Sequence, residues 1–225
     1  MKPLPWSFSS LSDFVNCARQ YEHKRVLKDV EDPPNEAGIW GDYVHKKFEA
    51  TLAKGAALPG NLAQYQEYLD RIASGKGEMH VECKYAINSR LEPCAWDDPN
   101  VWCRAILDVL HLHGQDARVL DHKTGKMRAD SRQLKLCALM VFIHHPEIIR
   151  VKTGYFWLKD RQLTKDTFLR SQESELWETF LPDLRAYRQA FRTGVFPPKP
   201  SGLCNGWCPV TQCEFWKPKR SYKYG

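Results

Sequence analysis

The stretch from Trp102 to Lys123, WCRAILDVLHLHGQDARVLDHK, constrains this chain more than any other. Two apolar runs, Ala105 to Leu112 and Ala117 to Leu120, flank a polar break at Gly114-Gln115, and that is the pattern of a β-hairpin. With a two-residue turn whose first position, Gly114, takes positive φ, His113 pairs with Asp116. Continuing that register sets Asp108 opposite Asp121. Strand alternation puts Lys123 on the face of Asp121 and His122 on the other. One face is therefore expected to carry Asp108, Asp121 and Lys123.

Opposed strand residues lie about 4.5–5.5 Å apart at Cα, and two carboxylates that close repel unless one is protonated or a cation lies between them. A divalent metal resolves the conflict, and Mg²⁺ is commonly held by few protein oxygens with room left for water and phosphate. The lysine beside them could orient an attacking water or offset charge on a phosphate. The alternative from spacing alone is a surface hairpin with two solvated acids and a salt-bridged lysine.

Asp108, then Asp121-His122-Lys123-Thr124-Gly125 and a helix opening near Gln133, resembles the core of the PD-(D/E)xK nuclease superfamily, in particular its RecB-like branch, which includes CRISPR-associated adaptation nucleases. DHKTG here stands for the branch's DxKTG. Ala105-Ile-Leu-Asp108 lacks the glycine of its GxxD, and Cys137 occupies the tyrosine position of its QxxxY after Gln133. The resemblance implies an α/β fold: a mixed central β-sheet flanked by helices, a restriction-endonuclease-like core, with a cysteine-rich C-terminal clasp. It further implies a core over 1–194 that includes the N-terminal helices, and a cysteine-rich segment over 195–225 packing back on the N-terminal helix.

At 225 residues and 43% apolar content the chain can form a real core. No apolar run approaches the ~20 residues of a membrane span, and MKPLPWSFSS lacks a signal-peptide apolar region. A cytoplasmic protein, or one in the host cytoplasm if viral, with no membrane partner is the expectation. The net charge of +6 favours a polyanionic partner. Eight cysteines in a reducing compartment point to metal, cluster or buried thiols before disulfides.

In chain order, Ser9 or Ser10 can cap a helix carrying Leu11, Phe14, Val15 and Ala18. Cys17 beside that stripe reads alone as an inert thiol. Ser7 to Arg25 resembles the opening helix of the RecB-like branch, in which a cysteine often ligates an iron–sulfur cluster. After an acidic, proline-bearing break at Glu31 to Asn35, Trp40, Val44, Phe48 and Leu52 mark a second helix. His45 on it reads locally as a packed or solvated side chain. By resemblance, Gly41 to His45 has the family's GxxxH form, which makes His45 a metal ligand over the hairpin; imidazole gives some preference for Mn²⁺. Asn61 to Ala73 reads as a packing helix and Met79 to Ile87 as a strand. Glu82 in that strand resembles the glutamate that precedes the first catalytic aspartate in many relatives, where it could hold a metal through water or fix His45; the other reading is an exposed strand residue. Cys83, Cys94 and Cys103 lack ligand-like spacing.

Ser131 to His144 reads as an apolar helix with Gln133 near its start, within reach of the site or a phosphate. Ile148 to Leu158 reads as a strand and Lys165 to Arg192 as one long helix ending at Gly194. Phe196-Pro-Pro-Lys-Pro cannot continue a helix. Beyond it, Cys204, Cys208 and Cys213 cluster with glycine and proline between them, and three thiolates need a fourth ligand to complete a four-cysteine iron–sulfur or zinc site. The resemblance nominates Cys17 as that ligand and a 4Fe-4S cluster as the group. The spacing here is CxxxCxxxxC, where the branch typically has CxxCxxxxxC; zinc or three free thiols are the alternatives. Trp216, Lys217, Lys219, Arg220, Tyr222, Lys223 and Tyr224 combine charge with stacking surface, which suits a single-stranded nucleic acid or a frayed, solvated tail.

The resemblance thus implies a Mg²⁺- or Mn²⁺-dependent deoxyribonuclease, in exonuclease form, acting on single strands or DNA ends in recombination, repair or replication. A recombination or annealing protein is the implied partner. Asp108, Asp121, Lys123 and Gln133 are the catalytic set, His45, Glu82, Asp108 and Asp121 the metal set, and Cys17, Cys204, Cys208 and Cys213 the cofactor set. Two rival readings are a zinc- or cluster-stabilised nucleic-acid-binding module and a partner protein that captures DNA ends with little cleavage.

Overall fold

The structure, a computed structural model, describes residues 1–31 and 35–219. Asp32 to Pro34 of the proline-bearing break, and Arg220, Tyr222, Lys223 and Tyr224 of the tail, lie outside the described residues. The chain divides into two compact units, Asn35–Thr179 and a smaller one made of Met1–Pro34 with Phe180–Gly225. The smaller unit therefore joins the first helices to the cysteine-rich segment.

The larger unit is built on six strands: β1 (Glu78–Asn88), β2 (Pro93–Cys94), β3 (Val101–His113), β4 (Asp116–Lys123), β5 (Arg150–Trp157) and β6 (Gln162–Leu169), in the spatial order β2-β1-β3-β4-β5-β6. The β4–β5 pair is parallel and every other pair antiparallel, so the sheet is mixed. The β3–β4 turn is Gly114-Gln115, with Gly114 at φ 58° and His113 paired with Asp116, the register its sequence dictates. A parallel pair cannot be joined by a short turn. The connection carries α5 (Arg132–His144), in which Leu134 and every residue from Leu136 to Phe142 are buried. That helix packs against the sheet, which explains an apolar content too high for a surface element.

α3 (Glu36–Lys54) is capped by Asn35 and closed by Gly55 in left-handed backbone. A 3₁₀ turn, Gly60–Tyr65, leads into α4 (Gln66–Ala73), so the region expected as one helix from Asn61 is two elements. Val44, Phe48 and Leu52 of α3 and Leu69 and Ile72 of α4 form one core with Val109, Leu120 and Phe156 of the sheet. Even-numbered Leu120 and Phe156 thereby mark the sheet face that α3 and α4 cover.

One expected element is corrected. Lys165 to Arg192 is not a single helix: Gln162–Leu169 forms β6 against β5, followed by α6 (Glu173–Glu178) and α7 (Leu181–Thr193). Thr164 and Thr167 are β-branched and favour a strand, and Pro182 belongs at a helix start, where α7 has it.

In the smaller unit α1 (Phe8–Asn16) is capped by Ser7, whose hydroxyl accepts from Ser10 N–H while Ser10 reaches back to Ser7 N–H. The cap is thus Ser7, and Ala18 starts the next helix, α2 (Ala18–Tyr21), which runs into a π-helical turn, Glu22–Leu27. Phe14, Tyr21, Tyr187, Phe191 and Phe196 meet edge-on or tilted at centroid distances of 4.9 to 6.5 Å, and the Tyr21 and Tyr187 hydroxyls bond at 2.7 Å. Such ring pairs contribute about 0.5–1.5 kcal/mol each beyond the area they bury. Among the described residues no helix is long and apolar enough to cross a membrane.

Candidate active site

The site forms where the sheet splits. β3 and β4 are paired from His113–Asp116 to Val109–Leu120, and one step further, at Asp108 and Asp121, the ladder stops. β3 continues on β1 alone and β4 on β5 alone. The backbone N–H of His122, left without a β3 carbonyl, donates to Asp108 Oδ2 at 2.7 Å. An unpaired buried N–H is costly, so the carboxylate stands in for the missing ladder acceptor.

Three elements crowd that carboxylate. His45 Nδ1, from α3, lies 3.3 Å from Asp108 Oδ2, and His122 Nδ1 lies 3.4 Å from it. The His122 ring is wedged edge-on against Phe48 and Tyr68. From β1, Glu82 faces Asp108, and ligand atoms of His45, Glu82 and Asp108 all fall within 4.8 Å of one another. Gly41 explains how α3 approaches so closely: a Cβ there would lie 3.3 Å from Thr124 Oγ1.

Asp121 and Lys123 take a different set of partners. Lys123 Nζ is 2.7 Å from Asp121 Oδ2 and donates to Gln133 Oε1 at 2.8 Å, while Gln133 Nε2 donates to Asp121 Oδ1 at 2.6 Å. Gln133, in the first turn of α5, thus bridges the two. The Lys123 ammonium also lies 5.2 Å from the Tyr155 ring centroid, on the β5 residue paired with Asp121. The expectation that Asp108, Asp121 and Lys123 present one common face is corrected, because Asp108 turns into the split toward α3 while Asp121 and Lys123 are held by α5.

The electrostatics are those of crowded acids. Burial and the nearby Asp108 charge push Asp121 up to about 6 against the pull of Lys123. Burial and Asp108 likewise raise Glu82 to about 7. Burial opposes ionisation of Asp108 too, but its bonds with His122 and His45 hold it well below the usual carboxylate range. The bond to Asp108 raises His45 to about 9 despite its burial. Two carboxyls pushed toward neutrality beside a third, with an imidazole that binds a proton tightly, form a group short of positive charge. Oxygen donors with one imidazole suit Mg²⁺ or Mn²⁺, and the convergence of His45, Glu82 and Asp108 fits such an ion.

A model of the PD-(D/E)XK nuclease superfamily matches residues 5–213. The chain belongs to that superfamily. Asp121-His122-Lys123 has the carboxylate-x-lysine spacing that this name spells. A crystal structure of a protein from Eubacterium rectale described as a "Putative exonuclease" shares the PD-(D/E)XK protein's fold: the TM-score is 0.56 at 13% identity, over 98% of this chain and 90% of that one. The structure of SSO0001 aligns over 95% and 87% of the two chains at 12% identity, with a TM-score of 0.49. No curated protein matches the sequence closely enough to count as a relative.

Within this PD-(D/E)XK protein, three contributors escape a reading by motif. His122 lies on the face opposite Asp121 and Lys123, as strand alternation requires, and it joins the site because Asp108 turns to meet its N–H and ring. Tyr155 supports Lys123, and only its register against Asp121 could have pointed to it. Tyr68 packs on both His122 and Phe156, and its Oη is buried without a hydrogen-bond partner among the described residues. Cys137, in the tyrosine position of QxxxY, is buried, and burial pushes its thiol far up.

The smaller unit brings Cys17, Cys204, Cys208 and Cys213 around one small cavity of about 20 Å³. Three of the sulfurs accept hydrogen bonds: Lys199 N–H to Cys17 at 3.4 Å, Ser201 N–H to Cys204 at 3.4 Å, and the Gln20 amide to Cys208 at 3.5 Å. Among the described residues, the only trio of His, Cys, Asp or Glu ligand atoms within 4.8 Å is the His45 group, so the sulfurs are spread wider than that.

Proposed function

We propose that this protein is a divalent-metal-dependent deoxyribonuclease that degrades DNA from strand ends. The observation that carries the reading is the convergence of His45, Glu82 and Asp108 within 4.8 Å, next to the Asp121–Gln133–Lys123 bridge. The description of the Eubacterium rectale structure as a "Putative exonuclease" supports the choice of strand ends.

His45, Glu82, Asp108 and Asp121 are the residues that would hold Mg²⁺ or Mn²⁺. Such an ion, when bound, lowers the pKa of a water and offsets charge on the phosphate. Lys123 places an ammonium beside the reacting phosphate, where it orients the nucleophile and balances developing negative charge. Gln133 fixes where that ammonium and the Asp121 carboxylate stand, and His122 does the same for Asp108. Buried, pre-oriented groups of this kind need little rearrangement as charge develops.

We further propose that Cys17, Cys204, Cys208 and Cys213 bind a 4Fe-4S cluster that clasps the N-terminal helix to the C-terminal segment. Four sulfurs about a zinc ion, at a Zn–S distance of about 2.3 Å in a tetrahedron, stand under ~4 Å apart. The wider spread here favours a polynuclear group.

The test is degradation of end-labelled single and double strands by anaerobically purified protein in Mg²⁺, Mn²⁺ or EDTA, with Asp121→Ala and Lys123→Ala alongside. Metal-dependent cutting that both variants lose supports the reading, and Lys123→Ala is expected to fall by about 10²–10³ in kcat. Cutting in EDTA, or variants as active as the wild type, would remove the hairpin from the mechanism.

A further inference from the structure

The sheet face covered by α3 and α4 is only partly covered. Beside α4 it opens into a groove of about 620 Å³ floored by β3 to β6. The register explains its lining. Arg118 pairs with Lys152, and Lys152 with Thr167; Leu120 pairs with Gly154, and Gly154 with Lys165; Phe156 pairs with Leu163. Residues so paired share a face with Leu120 and Phe156, so the cations and the apolar floor point to the same side.

Arg118, Lys152 and Lys165 are exposed and, among the described residues, make no hydrogen bond or ion pair. Arg71 on the α4 wall reaches Glu67 alone among the described residues, its Nη2 3.4 Å from the Glu67 carboxylate and its Nε donating to the Glu67 carbonyl at 3.4 Å, both exposed. Between these charges lie Phe156, Leu163 and Tyr68, the last stacked on Phe156 at a centroid distance of 3.7 Å. Tyr68 Oη and His111 Nδ1 in the same lining are buried with no hydrogen-bond partner among the described residues. The lining holds one acid, Asp166, against the four cations Arg71, Arg118, Lys152 and Lys165, and that excess of positive charge around a flat apolar floor matches a ligand with phosphates and bases.

The groove also leads to the catalytic centre. Tyr68 touches the His122 ring, and His122 holds Asp108. From Arg118 to His122 along β4 is about 13 Å at the usual strand rise. We propose that this groove binds nucleotide phosphates and holds the strand of DNA beyond the phosphate at the metal centre. This rests on the nuclease reading and extends it to a second surface on the same sheet.

The test uses the full chain and the variant Arg118→Ala/Lys152→Ala/Lys165→Ala. Binding of a labelled single strand is followed by anisotropy in EDTA across a salt series. Turnover of bis(p-nitrophenyl) phosphate, too small to reach the groove, is followed in Mn²⁺, and binding of dAMP is the third arm. The variant is expected to bind the strand roughly tenfold more weakly, with a salt slope shallower by about 2, as three lost phosphate contacts require. Turnover of the small diester should stay unchanged. Equal strand affinity and slope in the two proteins would overturn the proposal. Loss of dAMP binding with unchanged strand affinity would also overturn it, since the groove would then serve a free nucleotide. A wild type that does not turn over the small diester in Mn²⁺, while the variant still binds the strand more weakly, would refute the nuclease reading and leave the groove standing.

Discussion

Glu82 lies opposite Asp108 in the β1–β3 ladder, between the pairs Val81–Val109 and Cys83–Leu107, and there β1 takes left-handed backbone at φ 52°. The register is unbroken, so no extra residue causes the twist. For a residue with a Cβ such backbone costs on the order of 1–2 kcal/mol, and strain of that kind persists where the surroundings impose it for function. Here it brings a third donor to His45 and Asp108.

Glu82→Asn separates strain from use, because asparagine tolerates this backbone and carries no charge. In EDTA the variant should gain about 1 kcal/mol of stability, read as a melting point a few degrees higher, while Mn²⁺ affinity by calorimetry falls at least several-fold. Weaker metal binding with lower stability would mean that Glu82 braces the fold.

A pH dependence follows from the same crowding. Glu82 rises from 4.5 to about 7, Asp121 from 3.8 to about 6, and His45 from 6.5 to about 9. Each binds its proton more tightly folded than unfolded, so its contribution is complete below the unfolded value and lost as pH climbs through the folded one. The depressed Asp108 acts oppositely, but its loss comes only in acid below its ordinary 3.8. Metal-free protein should therefore melt at progressively lower temperature from pH 5 to pH 9, and saturating Mn²⁺ should restore more stability at the alkaline end. A melting point that is flat or rises with pH in EDTA would count against the carboxylate cluster.

The parts legible in sequence are those with local rules. Gly114-Gln115 set the hairpin register, and with it Asp108 against Asp121. Gln133 and His45 were visible through motif spacing, and the apolar run of α5 through its composition. The split of the sheet at Asp108 was not visible, because no local pattern says where two paired strands diverge; the common face for Asp108, Asp121 and Lys123 failed for that reason. The twist at Glu82 is imposed by neighbours from other elements, and glutamate carries no signal for it. β6 was hidden because Lys165-Asp-Thr-Phe-Leu leads directly into helix-forming sequence, and only its pairing with β5 decides its state.

Gly41 offers a test of how α3 is seated. A Cβ would stand 3.3 Å from Thr124 Oγ1, tight enough that one neighbour must give way. In a helix interior Gly41→Ala should gain up to about 1 kcal/mol in propensity, yet it pushes α3 away from the loop after β4 and takes His45 with it. Unchanged or higher stability together with several-fold weaker Mn²⁺ binding is expected. Thr124→Ala in the same chain should recover the affinity, since it removes the atom that Cβ meets. Additive effects of the two substitutions would show that the contact does not position His45.

The cysteine quartet gives a prediction independent of the nuclease centre. Cys17 comes from the start of the chain and the other three from its end, and they share one cavity with hydrogen bonds to three of the sulfurs. If a cluster is held there, iron measured on anaerobically purified protein should approach four per chain, and Cys17→Ser should lose it. Losing a structural metal group removes folding free energy outright, so the variant should melt ~10 °C lower or more, as a few kcal/mol in a domain of this size implies. Limited proteolysis should open the smaller unit first, near Arg19 and Lys24, while β1 to β6 stay protected. One zinc per chain with no iron would replace the cluster by a mononuclear site, and a Cys17→Ser protein as stable as the parent would show that the quartet holds nothing.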